Sequence, residues 1–372
     1  MEKIVAVVIC GLIALTAAGA PAATTTRDLL QRASHLSGLP VRRVVPVRKL
    51  PGRQFDSAVL RATYREYPRS LRNVDAALYA LLGLTPRSLQ AQLAPAAQES
   101  RAWYNPAARR LLLRRTPTAP RARIVNELVR ALIDQSFNLR RLNGLRARDR
   151  DRALAAKAIV EGTAALASGV GPSPVHGTPL ERFLQLESGL GTGKALAKEL
   201  RYLGGSRAVA SALRSFPQTT EQLLHIDKFL ERERALVVRL PTRIGDWKLS
   251  ASETFGELDV RSLLLAFGIP NAVATGAGWG GGRIGLYVSP AGETTAALSL
   301  EWDTIEDAAQ WRDAVPPYVE AAFPAATARD CPPLDHCWSS PSTVASEVLG
   351  TTSIFASGPG AESIATALFL GK

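Results

Sequence analysis

Few residues of this chain could carry hydrolytic or phosphate chemistry. It contains four histidines, and no serine lies in the G-x-S-x-G turn that exposes a catalytic nucleophile. The segment Gly189–Lys194 reads GLGTGK, but Ser188 and Ala195 stand where a phosphate-binding loop needs a glycine and a Ser or Thr. A second glycine-rich segment, Gly276–Gly282, leads into a predicted strand rather than a helix, which favours a turn over a dinucleotide site.

The segment Val125–Leu139 reads VNELVRALIDQSFNL and is more informative. It resembles the active-site helix of secreted zinc metallopeptidases of the gluzincin type, which runs approximately HELTHALQDQxFDL. In that helix, two histidines at i and i+4 lie on one face and bind zinc, and the glutamate after the first histidine is the general base. A glutamate in an E-G-x-A segment on a later helix is the third zinc ligand.

The resemblance assigns roles to four positions of this sequence. Asn126 and Arg130 occupy the histidine positions, Glu127 the general-base position and Glu161, in VEGTAAL, the third-ligand position. Asn is a poor zinc ligand and Arg cannot bind zinc, since its guanidinium stays protonated. Because a catalytic zinc site needs three protein ligands and an open position, we expect no zinc, no other cofactor and no catalysis, with Glu127 a vestige.

The resemblance extends along most of the chain in collinear order. The further matching segments are SGLPVRRVVPVRKL, WYNPAARRLLL, FPQTTEQLLHIDKFL, TFGELDVRSLL, GWGGGRIGLYV and LEWDTIEDAAQW.

Loss of a zinc ion leaves Glu127 and Glu161 facing a partly buried cleft, which is costly without a compensating charge. Arg130 offers a fixed positive charge and a planar fork that suits carboxylates. We therefore expect Arg130 to pair with Glu161, and with Glu127 as a second partner. The alternative is that Arg130 extends into solvent and Glu161 is an exposed helix residue.

His225 and Glu221, in TTEQLLH, are candidate cleft residues because this segment resembles a cleft-lining element of the family. The alternative for His225 is a structural residue packed near Phe229, with Thr219 or Thr220 capping the helix that contains Glu221. A relocated metal site would have to use His176, Glu181 and His225, whose spacing fits no zinc pattern.

The elements that must position these residues follow from local patterns. Apolar periodicity predicts the helix over 121–139 and an alanine-rich helix over Asp151–Ala167. A hairpin is predicted around the Asn-Pro turn of WYNPAARRLLL. The other predicted helices are 27–36, 54–66, 74–82, a helix that follows a break at 188–194 and ends at 202, 207–215, 220–231, 305–322 and 360–369, and the other predicted strands are 41–49, 284–288, 296–302 and 352–356.

The predicted fold class is α+β, with two domains. Composition shifts near Leu240, where glycine, aromatic residues and alternating apolar residues become frequent. We expect a mainly helical metallopeptidase-like domain over 24–239 and a smaller α+β domain over 240–372.

The first 23 residues have the pattern of a secretory signal peptide, with Lys3 before an apolar run and small residues up to Ala23. An uncleaved membrane anchor is the alternative, although the run is shorter than the ~20 residues of a spanning helix. The sequence therefore predicts export to the envelope or the exterior. Cys331 and Cys337 are then expected to form one disulfide rather than a metal-binding pair.

The net charge of +12 is carried mainly by arginine. We expect arginines spread over many helix faces and screened by carboxylates, since no arginine block alternates with aromatic residues as a specific nucleic-acid groove requires. The leading hypothesis is an exported inactive peptidase homologue that binds a peptide, a protein or an anionic envelope polymer. The alternatives are a hydrolase with a relocated metal site, and a structural envelope protein whose second domain binds through Trp279 and neighbouring glycines.

Overall fold

The computed structural model describes residues 25–84, 100–339 and 343–371. The predicted signal peptide, residues 1–23, lies outside the described residues. The fold is mixed α and β, with a helical N-terminal part and a C-terminal part built on a β-sheet, which confirms the predicted fold class.

The N-terminal part consists of ten α-helices, one 3-10 turn and three strands within the described ranges. In chain order they are α1 (Thr26–Ser37), β1 (Val47–Leu50), α2 (Gly52–Glu66), α3 (Arg69–Leu81), β2 (Ala102–Asn105), β3 (Arg110–Arg114), α4 (Arg121–Phe137), a 3-10 turn (Leu139–Leu142), α5 (Leu145–Arg148), α6 (Arg150–Ser168), α7 (Pro179–Glu187), α8 (Leu190–Arg214), α9 (Thr220–Leu224) and α10 (Ile226–Glu231).

Helices α4 and α6 carry the positions singled out by the sequence. α4 begins directly after Pro120, because proline is disfavoured in a helix interior. It ends at Asn138, whose backbone is in the left-handed conformation. α6 begins where the Asp149 side chain accepts from Arg152 N at 3.1 Å, and it ends at Gly169. Apolar faces of α4, α6 and α8 form one core that includes Leu128, Leu132, Ile159 and Leu196.

Gly162 allows α6 and α8 to cross at very short range. A Cβ on Gly162 would lie 2.0 Å from the backbone carbon of Gly193, and one on Gly193 would lie 1.9 Å from the Ala158 carbonyl oxygen. The glycine that follows Glu161 therefore has a packing role. The GLGTGK segment is the first turn of α8, pressed against α6, rather than a phosphate loop.

The three strands of the N-terminal part form a sheet in the order β1–β3–β2, with β1 parallel to β3 and β2 an antiparallel edge strand. Leu112 faces α2, where it packs with Phe55 and Val59. Leu111 and Leu113 face the opposite side, in the core that contains α4. The sheet therefore lies between α2 and α4.

The C-terminal part is built on an eight-stranded antiparallel sheet. Its elements are β4 (Arg243–Ile244), β5 (Trp247–Thr254), α11 (Glu257–Ala266), α12 (Ala272–Ala277), β6 (Trp279–Val288), β7 (Thr294–Trp302), α13 (Ile305–Ala322), β8 (Thr327–Cys331), β9 (Leu334–Ser339), β10 (Val344–Leu349), β11 (Thr352–Ser357) and α14 (Ala361–Leu370). The strand order in the sheet is β4–β5–β6–β7–β11–β10–β9–β8. One core cluster combines the sheet with α13 through Trp311 and Tyr318, and another combines it with α14 through Ile364 and Leu368.

Cys331 in β8 and Cys337 in β9 form a disulfide, as predicted. The two parts of the chain also share a core. Leu78 and Leu82 near α3 and Phe183 of α7 pack into the same cluster as Trp311, and the Tyr318 hydroxyl donates to the Leu82 carbonyl at 2.8 Å. The composition shift near Leu240 therefore does not coincide with a break in packing.

Several element boundaries differ from the predictions. The predicted strand over 41–49 is confined to Val47–Leu50, and the glycine-rich turn at 276–282 is wrong because Trp279–Val288 is one long strand. Gly281 is needed in that strand, since a Cβ there would lie 2.6 Å from the Leu236 carbonyl oxygen. The helix predicted over 220–231 is interrupted at His225, whose ψ of 109° is extended.

Candidate functional site

The predicted ion pair is present between α4 and α6. Arg130 Nη1 lies 3.0 Å from Glu127 Oε2, and Arg130 Nη2 lies 3.0 Å from Glu161 Oε1. The side chains of Arg130, Glu127 and Glu161 are 16%, 12% and 21% exposed, so all three are largely removed from solvent. The pairing of Arg130 with both carboxylates is confirmed, and the alternative of a solvent-exposed Arg130 is wrong. We call these three residues the Arg130 cluster.

Glu127 is also tied to the neighbouring sheet. Its Oε2 accepts from the backbone N–H of Tyr104 at 2.7 Å, and Tyr104 belongs to the edge strand β2. Burial raises the pKa of Glu127, although Arg130 opposes that rise. Burial disfavours the charged form of Arg130, but Glu161 and Glu127 outweigh it, so the pKa of Arg130 lies above its usual range. Arg130 therefore remains a permanent cation between two carboxyl groups.

Asn126 does not join the Arg130 cluster. It is buried, and its Nδ2 donates to Ser168 Oγ at 3.3 Å. Ser168 lies two turns beyond Glu161 on α6, so Asn126 and Arg130 both connect α4 to α6 at successive levels. The sequence correctly predicts that Asn126 lies on the face of α4 towards α6, but it does not identify Ser168 as the partner of Asn126.

The Arg130 cluster does not fit a zinc ion in the manner of the family. The guanidinium lies within 3.0 Å of both carboxylates that would face the ion. A zinc ion between Glu127 and Glu161 would be repelled by the fixed positive charge of Arg130. A catalytic zinc needs three protein ligands, and Asn126 and Arg130 do not supply the two histidines.

Two members of the Arg130 cluster, Arg130 and Glu161, line a cleft of about 510 Å³. The other charged residues and the tyrosines in its lining are Glu66, Tyr67, Asp75, Tyr79, Arg146, Lys157 and Glu187. The remaining wall is largely apolar and includes Trp103, Pro106, Leu139, Leu142, Leu145, Leu154, Val160 and Leu184.

A buried ionic network borders this cleft and was not predicted from the sequence. Arg150 is 1% exposed and contacts Glu187 at 2.5 Å, Glu253 at 3.5 Å and Asp259. Burial raises the pKa of Glu187 to about 7, although Arg150 opposes the rise. No motif marks these residues, because they come from separate elements of both parts of the chain.

Arg146 extends the same network to the cleft wall. It bonds to Asp75 at 2.6 Å and to Glu253 at 2.7 Å. Glu253 lies in β5, so the network joins the helical part to the C-terminal sheet. We call the six residues Asp75, Arg146, Arg150, Glu187, Glu253 and Asp259 the buried ionic network.

The structure does not bring His225 and Glu221 to the cleft. His225 Nε2 lies 2.9 Å from Glu257 Oε1, and this hydrogen bond raises the pKa of His225. Glu221 is fully buried, and burial raises its pKa to about 7 although it contacts Lys228 at 2.5 Å. The predicted cap at Thr219 is confirmed, since its side chain accepts from Gln222 N at 3.1 Å.

The residues proposed for a relocated metal site have separate local roles. Glu181 forms a capping box with Thr178 at the start of α7, and His225 is paired with Glu257. Within the described ranges, one group of three acidic side chains has ligand atoms within 4.8 Å of one another, formed by Glu221, Glu233 and Asp303. The Lys228 ammonium contacts all three, so a cation from the chain already stands at its centre.

Trp279 does not belong to a binding surface. It is fully buried, and its indole N–H donates to the Phe255 carbonyl at 3.0 Å. The suggested ligand-binding surface of Trp279 and neighbouring glycines is therefore wrong, because these residues pack inside the sheet domain.

The C-terminal part of the chain matches a known family model. A family model described as a domain of unknown function (DUF8575) matches residues 243–367. That range begins at the first residue of β4 and covers most of the C-terminal part, so the Arg130 cluster lies outside it. No curated protein and no solved structure matches the chain. Over the described residues, none of the helices has both the length and the apolarity required to span a membrane.

Proposed function

We propose that this chain is a catalytically inactive, peptidase-like protein that binds an extended peptide segment in the cleft beside the Arg130 cluster. The observation that carries the proposal is the position of the Arg130 guanidinium, 3.0 Å from both Glu127 and Glu161. In the gluzincin peptidases that the sequence resembles, the corresponding helices hold zinc at this place. A fixed cation from the chain stands in for the metal.

Inactivity follows from the chemistry of the replacement. Zinc lowers the pKa of its bound water from far above the physiological range to about 7, which allows a carboxylate to deprotonate it. A guanidinium is not a Lewis acid, so water beside Glu127 keeps its ordinary acidity. Glu127 is further held by Arg130 and by the Tyr104 amide.

Binding is supported by the shape and lining of the cleft. Its volume of about 510 Å³ lies in the usual range of ligand sites, which are mainly apolar with a few polar groups that orient the ligand. The apolar wall suits aliphatic or aromatic side chains of a peptide, and the charged groups at Arg146 and Arg130 suit its polar backbone or termini.

We also propose that the protein is exported. The disulfide between Cys331 and Cys337 supports export, because such bonds persist mainly in oxidising compartments.

Restoring the histidines tests the assignment of the zinc positions. The double variant Asn126→His/Arg130→His should bind one zinc ion per chain through the two new side chains and Glu161, measured by mass spectrometry of metals after desalting. Wild type and Arg130→Gln should carry none. A folded double variant that stays free of zinc contradicts the assignment, and stoichiometric zinc in the wild type contradicts the loss of the metal.

A separate experiment tests binding. Wild-type protein should retain apolar members of a synthetic heptapeptide library, and Leu142→Asp, in the cleft wall, should lose them. Leu203→Asp is the matched control, because Leu203 is 59% exposed and does not line the cleft. Equal retention by Leu142→Asp and wild type contradicts peptide binding in the cleft.

A further inference from the structure

Arginines concentrate at one end of the small sheet, around the turn that joins β2 to β3. A groove of about 580 Å³ on the α4 side is lined by five arginines, and we call it the first arginine groove. A groove of about 500 Å³ on the α2 side is lined by four arginines, and we call it the second arginine groove. The arginines are Arg42, Arg43, Arg109, Arg141 and Arg214 in the first groove and Arg48, Arg53, Arg61 and Arg110 in the second.

The fold explains why the second groove is so basic. Leu50 and Leu112 point from the sheet towards α2 and pack with Phe55. Side chains alternate along a strand, so Arg48 and Arg110 lie on that same face, nearer its open end. The groove has no acidic residue in its lining.

The second groove also takes arginines from α2. Arg53 and Arg61 lie two turns apart on this helix and complete the lining with Arg48 and Arg110. All four are exposed, and none forms an ion pair with a residue that the structure describes.

The first groove has one acidic residue, Asp134, and its carboxylate is already bound to other groups of the protein. Asp134 is buried and accepts from the Tyr104 hydroxyl at 2.7 Å and from Leu139 N at 2.8 Å, and Arg109 lies 3.9 Å away. Arg42 and Arg43 have no ion pair within the described part of the chain. The groove is therefore strongly positive despite Asp134.

Two polar atoms in the first groove lack a hydrogen-bond partner. Ser136 Oγ and Arg109 Nε are shielded from solvent and have no hydrogen bond, although Arg109 Nε lies 3.9 Å from Asp134 Oδ2, and both residues line the groove. Such atoms are rare without a ligand or an ordered water. Arg141 is fixed in place by the Arg214 carbonyl at 2.7 Å and by the Phe216 ring, with its guanidinium 3.9 Å from the ring centre. Part of the groove is thus organised before any ligand binds.

The hairpin turn connects the two grooves. Arg109, at the turn with a positive φ of 49°, lines the first groove, and the next residue, Arg110, lines the second. A ligand that engages both must therefore cross the turn and reach two faces of the sheet. The expected screening of arginines by neighbouring carboxylates does not hold at this end of the molecule.

We propose that the two arginine grooves form a binding site for a linear polyanion without nucleobases that carries phosphate groups along its chain, lying across the hairpin turn. Arginine forks match phosphate oxygens bidentately. A flat membrane cannot enter two grooves on opposite faces of a sheet. Phe137 is the one aromatic residue in the lining of the two grooves, so these grooves lack the stacking platforms of a single-stranded nucleic-acid site.

The test uses long-chain inorganic polyphosphate as the probe and the full-length mature chain, with affinity measured by calorimetry at two salt concentrations. Arg42→Gln/Arg43→Gln and Arg53→Gln/Arg61→Gln should each weaken binding on the order of tenfold and reduce the salt dependence. The matched control Arg207→Gln/Arg234→Gln removes two exposed arginines elsewhere and should change affinity less than about twofold. Circular dichroism confirms that each variant is folded.

Short and alternative probes decide between sources of the charge. Tripolyphosphate is too short to reach both grooves, so it should bind more weakly than long-chain polyphosphate. Its affinity should fall in only one of the two groove variants. A loss of affinity in the control variant equal to that in the groove variants overturns the proposal, since binding would then reflect net charge. An unchanged affinity in one of the two groove variants also overturns it, since binding would then use a single groove. Tighter binding of phosphatidylglycerol vesicles or of a single-stranded oligonucleotide, with the same arginine dependence, also overturns it. The cleft variant Leu142→Asp should bind polyphosphate normally, which separates this site from peptide binding.

Discussion

Replacement of Arg130 by alanine exposes what its charge contributes. The substitution removes the cation between Glu127 and Glu161 and leaves both carboxylates facing each other with little solvent. Glu127 keeps its hydrogen bond from the Tyr104 amide, so the main loss is the charge compensation rather than the helix contact.

The size of the effect follows from burial. Removing one member of a fully buried ion pair costs about 3–5 kcal/mol. Because the carboxylates of the Arg130 cluster retain 12% and 21% exposure, part of their charge remains hydrated. We therefore expect Arg130→Ala to lower the free energy of unfolding by about 2–3 kcal/mol at neutral pH.

The pH dependence identifies the cause. In the variant, the pKa of Glu127 in the folded state rises further, because the compensating charge of Arg130 is gone. A carboxyl whose folded pKa exceeds its unfolded pKa destabilises the fold above the folded pKa, and this penalty disappears as pH falls towards the unfolded value of 4.5. The deficit should therefore grow as pH rises above 4.5 and should shrink towards pH 4.

Urea unfolding followed by circular dichroism, from pH 4 to pH 8, measures this deficit. Arg123→Ala is the matched control, an exposed arginine on the same helix. The double variant Arg130→Ala/Glu161→Gln should recover part of the loss, because it removes one of the two opposed charges. A deficit that is the same at pH 4 and pH 8, or no recovery in the double variant, would refute the electrostatic role of Arg130.

Three further predictions concern the scaffold. Burial raises the pKa of Asp151 to about 8, so its ionisation should lower wild-type stability by about 1.4 kcal/mol per pH unit as pH rises from the unfolded value of 3.8 to 8, and Asp151→Asn should make the pH dependence in denaturant titrations less steep by that amount. Gly162→Ala should lower the melting temperature sharply, because the new methyl would lie 2.0 Å from the Gly193 backbone; Gly171→Ala, with open space around it, is the control. Arg150→Met should cost about 3–5 kcal/mol at pH 7 and less at pH 5, and an unchanged unfolding midpoint would contradict the importance of the buried ionic network.

The sequence was sufficient where local pattern determines structure. The helices α4 and α6 follow from apolar periodicity, whereas the 3-10 turn and the short helix α5 between them do not. The pairing of Arg130 with Glu161 follows from the charges that the motif places on facing helices. The structure confirms both helices and the ion pair, because each depends on local sequence or on the spacing within the motif.

Other parts of the site depend on contacts between distant segments. Arg150 meets Asp259, more than a hundred positions away, and nothing near either residue announces the pair. The resemblance makes His225 a candidate cleft residue with a structural role as the alternative, and in the structure its ring is hydrogen-bonded to Glu257 at 2.9 Å, away from the cleft. The glycines around Trp279 indicate a turn, whereas Gly281 is required within β6 by the close approach of the Leu236 carbonyl.

The cation of the Arg130 cluster is joined to the chain by covalent bonds. A bound ion stabilises a fold by an amount that depends on its free concentration relative to its dissociation constant. The guanidinium of Arg130 has no such dependence, since it is present at fixed stoichiometry in every folded molecule. The ion pairs that Arg130 makes between α4 and α6 therefore do not vary with the concentration of any dissolved ion that could bind there.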